Sequence, residues 1–125
     1  MEQQRQLINN YIKAYNNFDI EGMLAGLAAD VKFENISNGE INLSLNGIEA
    51  FKQQAQQAAG IFSSRTQTAT SFNYTEDVTE VDIAYHAILA IDLPNGMKKG
   101  DALNITGKSV FEFSGNKITG ITDIS

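Results

Sequence analysis

Residues 107–125 read GKSVFEFSGNKITGITDIS, two β-like runs parted by the turn pair Gly115-Asn116. A strand sends residues i, i+2 and i+4 to one face. Lys117, Thr119, Ile121 and Asp123 therefore share one side, and Ile118, Gly120, Thr122 and Ile124 the other. Isoleucine stands on both sides, so neither is evidently solvent. An acid at Asp123 on a covered face is either a hydrogen-bonded structural group or a working group.

Working upstream, the chain stays β-like as far as residue 65. The runs RTQTATSFNYTED (65–77), EVDIAYHAILAIDL (80–93) and DALNITGKSVFEFS (101–114) are long strands, with Asn95-Gly96 turning between the last two. The N-terminal half differs. Leu7, Ile8, Tyr11, Ile12, Tyr15 and Phe18 recur at helical spacing, which predicts an amphipathic helix over 2–17. Asp19 caps a second, short helix through Met23, Leu24 and Leu27. DVKFENIS (30–37) and EINLSL (40–45) are short strands around the turn SNGE. Asn46 and Glu49 stand like a capping box before a third helix, GIEAFKQQAQQAAGIF (47–62). Helices first and a long antiparallel meander after them predict an α+β fold. No repeat or linker interrupts residues 1–125, so one domain is expected.

Composition narrows the partners. The chain has 125 residues, 42% hydrophobic and 19% charged, with a formal net charge of −6. Lys and Arg are scattered rather than striped, which argues against a nucleic-acid backbone or an anionic membrane as partner. Cysteine is absent, which removes disulfides and thiolate metal sites. A single histidine without paired carboxylates leaves no metal-ligand spacing, and no Gly-rich phosphate loop precedes a helix. No cofactor or metal is expected. The N-terminus lacks a basic and apolar leader pattern, and IAYHAILAI is far shorter than a membrane span. A cytoplasmic protein is expected, and the four Asn-x-Ser/Thr matches at Asn35, Asn42, Asn73 and Asn104 then carry no meaning.

YNNFDIEGMLAGLAADVKFEN (15–35), NGIEAFKQ (46–53) and GKSVFEFSGNKITGITDIS (107–125) together resemble the nuclear transport factor 2-like superfamily. The branch they resemble most holds SnoaL-like polyketide cyclases and ketosteroid isomerases. That resemblance covers nearly the whole chain. It implies a cone in which three N-terminal helices pack in the concave face of a strongly bent, mainly antiparallel sheet, around a pocket for a small hydrophobic molecule.

Ketosteroid isomerases serve as a standard example of carboxyl groups tuned by their surroundings. Carried over, the resemblance places the helix-one oxyanion donor on Tyr11, the usual base position on Asn35 and the second donor on Ser109. An amide cannot take a proton from carbon near neutrality, so that branch's usual chemistry is not expected. The cyclases take their base from an Asp farther along the sheet, which points to Asp123. Relative to the family pattern, Thr119, Ile121 and Asp123 face the pocket, as do Ser109, Phe111 and Phe113.

The expected site is therefore Asp123 as base and Tyr11 as oxyanion donor. Asn35 and Ser109 orient the ligand, and Tyr15, Phe33, Phe51, Phe62, Tyr85, Phe111 and Ile121 complete the wall. Burial should raise the pKa of Asp123. His86 sits with Asp82, Ala84 and Ile88 on the less apolar face of its strand. It belongs either to the outer side of the sheet, expected to form a homodimer, or, after a β-bulge, to the pocket. Cofactor-free isomerisation, cyclisation or lyase chemistry is the leading expectation. A non-catalytic ligand-binding or dimerising module of the same fold is the alternative.

Overall fold

The computed structural model describes residues 2–75 and 77–125. Three helices come first or early, α1 (Glu2–Asn16), α2 (Ile20–Leu24) and α3 (Ile48–Ala59). The strands are β1 (Leu27–Ser37), β2 (Glu40–Asn46), β3 (Phe62–Tyr74), β4 (Val78–Leu89), β5 (Ala102–Ser114) and β6 (Lys117–Ile124). They form one sheet in the order β2-β1-β6-β5-β4-β3. Every neighbouring pair is antiparallel except β1 with β6, which is parallel. No described helix is long and apolar enough to cross a membrane.

The cone is corrected. The sheet is open and not strongly curled. Bulges are the usual means of bending a sheet, and here register shifts lie between Asn35 and Ile36, between Ala69 and Ser71 and between Glu112 and Phe113. The β4–β5 ladder runs from Val78↔Glu112 to Ile88↔Ala102 without a register shift, so that pair has no such bend. The α+β order and mainly antiparallel pairing stand.

Local chemistry sets the element ends. Asp19 caps α2 by accepting from the Gly22 amide at 3.0 Å. That helix stops at Leu24 rather than reaching Leu27, because the next residues already dock on the sheet. The Gly26 carbonyl accepts from the Ile118 amide at 2.8 Å, and Leu27 pairs with Ile118. The expected capping box at Asn46 and Glu49 does not form. Asn46 stays in β2, paired with Lys32, and Gly47 is the N-cap at φ 92°, with no side-chain cap bond. β4 ends at Leu89 instead of Leu93. Beyond it Asp92 accepts from the Lys99 amide and Asp101 from the Lys98 amide, both at 2.9 Å, which pins the connecting loop.

The core lies between helices and sheet. Ile8, Tyr11, Ile12 and Met23 meet Val31, Val81, Phe111, Ile118 and Ile121, and α3 adds Phe51 and Ala55. Each large aliphatic or aromatic side chain so removed from water contributes roughly 1.5–3 kcal/mol. Tyr11 packs edge-on to Phe111 at 5.9 Å between centroids, which ties α1 to the sheet centre.

One bulge changes the face assignment of β6. Ile118 pairs with Phe113 and Gly120 with Glu112, with a register shift between Glu112 and Phe113. Thr119 is the extra residue. Ile118 and Ile121 are therefore both buried, and Ile118, not Thr119, shares the covered face with Ile121. Below the bulge the alternation holds, so Asp123 follows Ile121.

Close approach at Gly107 holds the end of β6 in place. A Cβ there would lie 2.6 Å from the Ile124 carbonyl oxygen, a backbone atom with little room to move. Gly107→Ala is expected to push β6 from β5 and lower stability by about 1–3 kcal/mol. A thermal melt checks this, with a midpoint unchanged to within a degree or two as the contrary result.

Candidate functional site

The sheet builds the site as two adjacent cross-strand rows. In the first, Phe33 of β1 pairs with Ile121 of β6, which pairs with Phe111 of β5. In the second, two residues on and so on the same face, Asn35 pairs with Asp123, which pairs with Ser109. An apolar row thus lies beside a polar one. Cross-strand neighbours of this kind stand about 5 Å apart, and β6 is central, so Asp123 is flanked on both sides.

Ser109 donates its hydroxyl to the Asp123 carboxyl at 2.6 Å. Burial raises the pKa of that carboxyl from 3.8 to about 6, against a smaller lowering by the Ser109 bond. Tyr11, buried, has its hydroxyl pKa pushed well above 10, first by burial and then by the negative charge of Asp123. At neutral pH Asp123 is a carboxylate with a real affinity for a proton, and Tyr11 is a donor that keeps its own.

Two cavities meet at these groups. One, of about 240 Å³, is lined by Tyr15, Gln67, Tyr85, Ser109 and Asp123, with Lys108 and Ile105 toward its mouth. The other, of about 200 Å³, is lined by Tyr11, Phe33, Phe51, Gln54 and Ala58, with Asn42 beside Asn35. Tyr15, Asn35, Gln67 and Asp123 line both. Tyr15 and Tyr85 join hydroxyls at 3.0 Å.

Of the residues expected from the sequence, Asp123, Tyr11, Tyr15, Phe33, Asn35, Phe51, Tyr85 and Ser109 line one or both cavities. Phe111 and Ile121, each 1% exposed, are packed in the core beneath them. Phe62 stands behind the wall, edge-on to Tyr85 at 6.2 Å. Ser109 commits its proton to Asp123, and Asn35 donates to Asn42 at 2.8 Å, so both do more than face a ligand. His86 is on the outer face, 2.7 Å from the Asn104 side chain.

Arg65 and Gln67 were not expected. Strand periodicity puts Arg65, Gln67 and Ala69 together, opposite Thr66, Thr68 and Thr70, and that asymmetry was the available signal. Arg65 is 3% exposed. Its Nε donates to the Tyr15 carbonyl at 2.8 Å, near the end of α1, where a cation complements the helix dipole. Among the described residues, no three His, Cys, Asp or Glu are grouped to hold a metal ion.

The profile of the SnoaL-like domain matches residues 8–121. The chain belongs to the SnoaL-like domain family. That family lies in the nuclear transport factor 2-like superfamily. Among solved structures, this SnoaL-like chain is similar to a candidate polyketide cyclase from Xanthomonas campestris pv. campestris. There the identity is 20% and the TM-score 0.83, covering 99% of this chain and 90% of that one. It is also similar to IdmH, a candidate polyketide cyclase from Streptomyces antibioticus, at 15% identity and TM-score 0.79, over 96% of this chain and 89% of that one. A third is a protein with a ketosteroid isomerase-like fold from Catenulispora acidiphila, in complex with trimethylamine. It is 13% identical with a TM-score of 0.76, over 94% of this chain and 82% of that one. At these identities the likeness is one of fold. No curated protein matches the chain.

The raised pKa of Asp123 has a signed consequence for the SnoaL-like chain. A folded pKa above the unfolded one means that ionising the group weakens the fold. Its effect on stability is most favourable below pH 3.8, declines as pH rises toward about 6, and is level above that. The full span is on the order of 2–3 kcal/mol. Asp123→Asn is therefore expected to gain on the wild type between pH 4 and pH 7 in paired denaturant melts. A loss that grows over the same interval would make Asp123 a stabilising, charge-paired acid.

Proposed function

We propose that the chain is a small-molecule-binding protein, one domain over residues 1–125, that transfers protons without a cofactor on a hydrophobic ketone-bearing or cyclic substrate. Asp123 takes a proton from the carbon next to a carbonyl, and the developing enolate oxygen is held by the Tyr11 hydroxyl. The observation that carries this reading is Asp123 itself. It is a carboxyl with a pKa of about 6, held by Ser109 at 2.6 Å and opening into both cavities.

A base works best when its pKa lies near the operating pH, and an oxyanion donor must remain protonated while the charge develops. Tyr11 and Asp123 line the same cavity, and their shifts meet both needs. Asn35 orients the ligand from the position between the cavities. Isomerisation, cyclisation and elimination all begin with this step, and family membership supports that range of chemistry. The cavities are unfilled by side chains, which favours ligand binding over a purely dimerising module.

The step can be tested without the natural substrate. Exchange of the α-protons of 2-tetralone in D2O, followed by NMR, should be accelerated over buffer. Asp123→Asn should abolish the acceleration, and Tyr11→Phe, which keeps the ring between Phe51 and Phe111, should reduce it on the order of 100-fold. No acceleration, or one indifferent to Asp123→Asn, would remove the base and leave a ligand carrier.

A homodimer through the outer sheet face belongs to the same proposal. Ala84 and Ile88 are half-buried on that face around an exposed His86. Apolar side chains on an uncovered sheet favour association. Light scattering should return twice the chain mass, whereas a monomer at high micromolar concentration would reject the dimer.

A further inference from the structure

Arg65 carries a positive charge into the interior with little to balance it. Its guanidinium carbon lies 3.7 Å from the centre of the Tyr15 ring and 4.5 Å from that of Phe18. Nε donates to the Tyr15 carbonyl, but Nη2 has no hydrogen-bond partner among the described residues. Among the described residues no carboxylate forms an ion pair with it. Removing a charge from water is costly, and ring stacking returns only part of that cost. A helix-end carbonyl can be capped by water or by a neutral amide, so capping alone does not account for the buried cation.

What the cation faces does account for it. Tyr15 presents its ring to Arg65 and its hydroxyl to Tyr85 at 3.0 Å. Two phenol hydroxyls hold two protons, and their mutual bond uses one. Among the described residues neither hydroxyl makes another hydrogen bond, which leaves the second proton for the cavity of about 240 Å³ that both residues line. A donor at the end of a hydrogen-bonded chain is strengthened by the bond behind it, and a cation over the ring strengthens it again. Across that cavity stands Asp123 with Ser109. The other charge lining it, Lys108, is engaged by Glu80 at 3.1 Å.

We propose that the Tyr15–Tyr85 hydroxyl pair, backed by Arg65, is a second polar subsite that takes an enol, phenol or ketone oxygen of the ligand, distinct from the oxygen held by Tyr11. The subsite deepens the ligand-binding reading above. The ligand class becomes one with two oxygen functions on a flat, largely apolar frame, one near Asp123 and Tyr11 and the other at the tyrosine pair. Arg65 is a positioning residue here, acting through Tyr15.

The test compares 2-naphthol with naphthalene by equilibrium dialysis, so that only the oxygen differs. In the wild type the ratio of affinities should favour 2-naphthol. The double variant Tyr15→Phe/Tyr85→Phe keeps both rings and the Arg65 stack, and should lower that ratio about 10-fold while naphthalene binding holds. Arg65→Lys, checked for an intact melt, should lower the ratio in part, a change that a merely structural arginine would not produce. A ratio unchanged in the double variant, or lost only in Asp123→Asn, overturns the subsite. Failure of the wild type to bind either compound removes the subsite and the ligand-binding reading together. Binding with the expected ratio but no 2-tetralone exchange leaves the subsite standing and removes the catalytic reading alone.

Discussion

The parallel pairing of β1 with β6 is the constraint on which the rest of the molecule depends. β6 is the last strand in the chain yet lies in the middle of the sheet, between β1 and β5. A strand there has both backbone edges satisfied and one face under the helices. Its eight residues therefore bring together groups that are far apart in sequence. Asn35 and Ser109 become the lateral neighbours of Asp123 only because β6 closes between their strands. The bulge at Thr119 then chooses the face. Without it, Ile118 would point away from the core that Ile121 enters, and two isoleucines would compete with solvent. With it, both are buried and Asp123 keeps the covered side.

Burial on that side has opposing effects. It packs Tyr11 and Ile121 against the sheet, which stabilises the fold. It also withdraws water from the Asp123 carboxylate, which weakens it. The short bond from Ser109 offsets part of that loss, since a hydrogen bond to the charged form lowers a carboxyl pKa. Desolvation nevertheless remains the larger effect. A purely structural acid would be expected to gain partners until the balance reversed. Asp123 has one donor from Ser109 and two cavities instead.

Much of the fold was legible in local pattern. The 3.6-residue spacing of Leu7, Ile8, Tyr11, Ile12 and Tyr15 predicts α1, and two-residue alternation predicts the long strands. What was not legible depends on distant partners. Leu27 leaves helical reach because Ile118 claims it. Asn46 fails to cap because Lys32 holds it in β2. The overall bend of the sheet, which the resemblance implies, depends on where bulges fall across several ladders, and local sequence does not record that. The same limit applies to the site. Strand parity was enough to put Ser109 and Asp123 together, but parity cannot separate the floor of a cavity from its lining, so Phe111 and Ile121 were expected one layer too shallow. The burial of Arg65 is not legible locally, because an arginine in a polar, threonine-rich strand ordinarily faces solvent. The end of α1, brought down by tertiary packing, and the rings of Tyr15 and Phe18 receive it instead.

The buried arginine and the buried aspartate are complementary features of the same cavity system. Arg65 lowers the pKa of Tyr11 and of Tyr85, while Asp123 raises that of Tyr11. A cation below one end and an acid at the other give the enclosed space a direction, positive toward Tyr15 and Tyr85 and negative toward Ser109 and Asp123. In a medium of low dielectric such a field is stronger than in water, so it acts on anything occupying the space between. An apolar ligand without dipoles would not respond to it, whereas one bearing oxygen at both ends would be oriented. Under the proposed ligand-binding reading, the field would favour polarised ligands over hydrocarbons of the same size, although most of the wall is aromatic and aliphatic. Selectivity of this kind needs no closed cone. It needs two charges of opposite sign fixed by an open sheet and one helix end, with side chains such as Gln67 and Asn35 left uncharged between them.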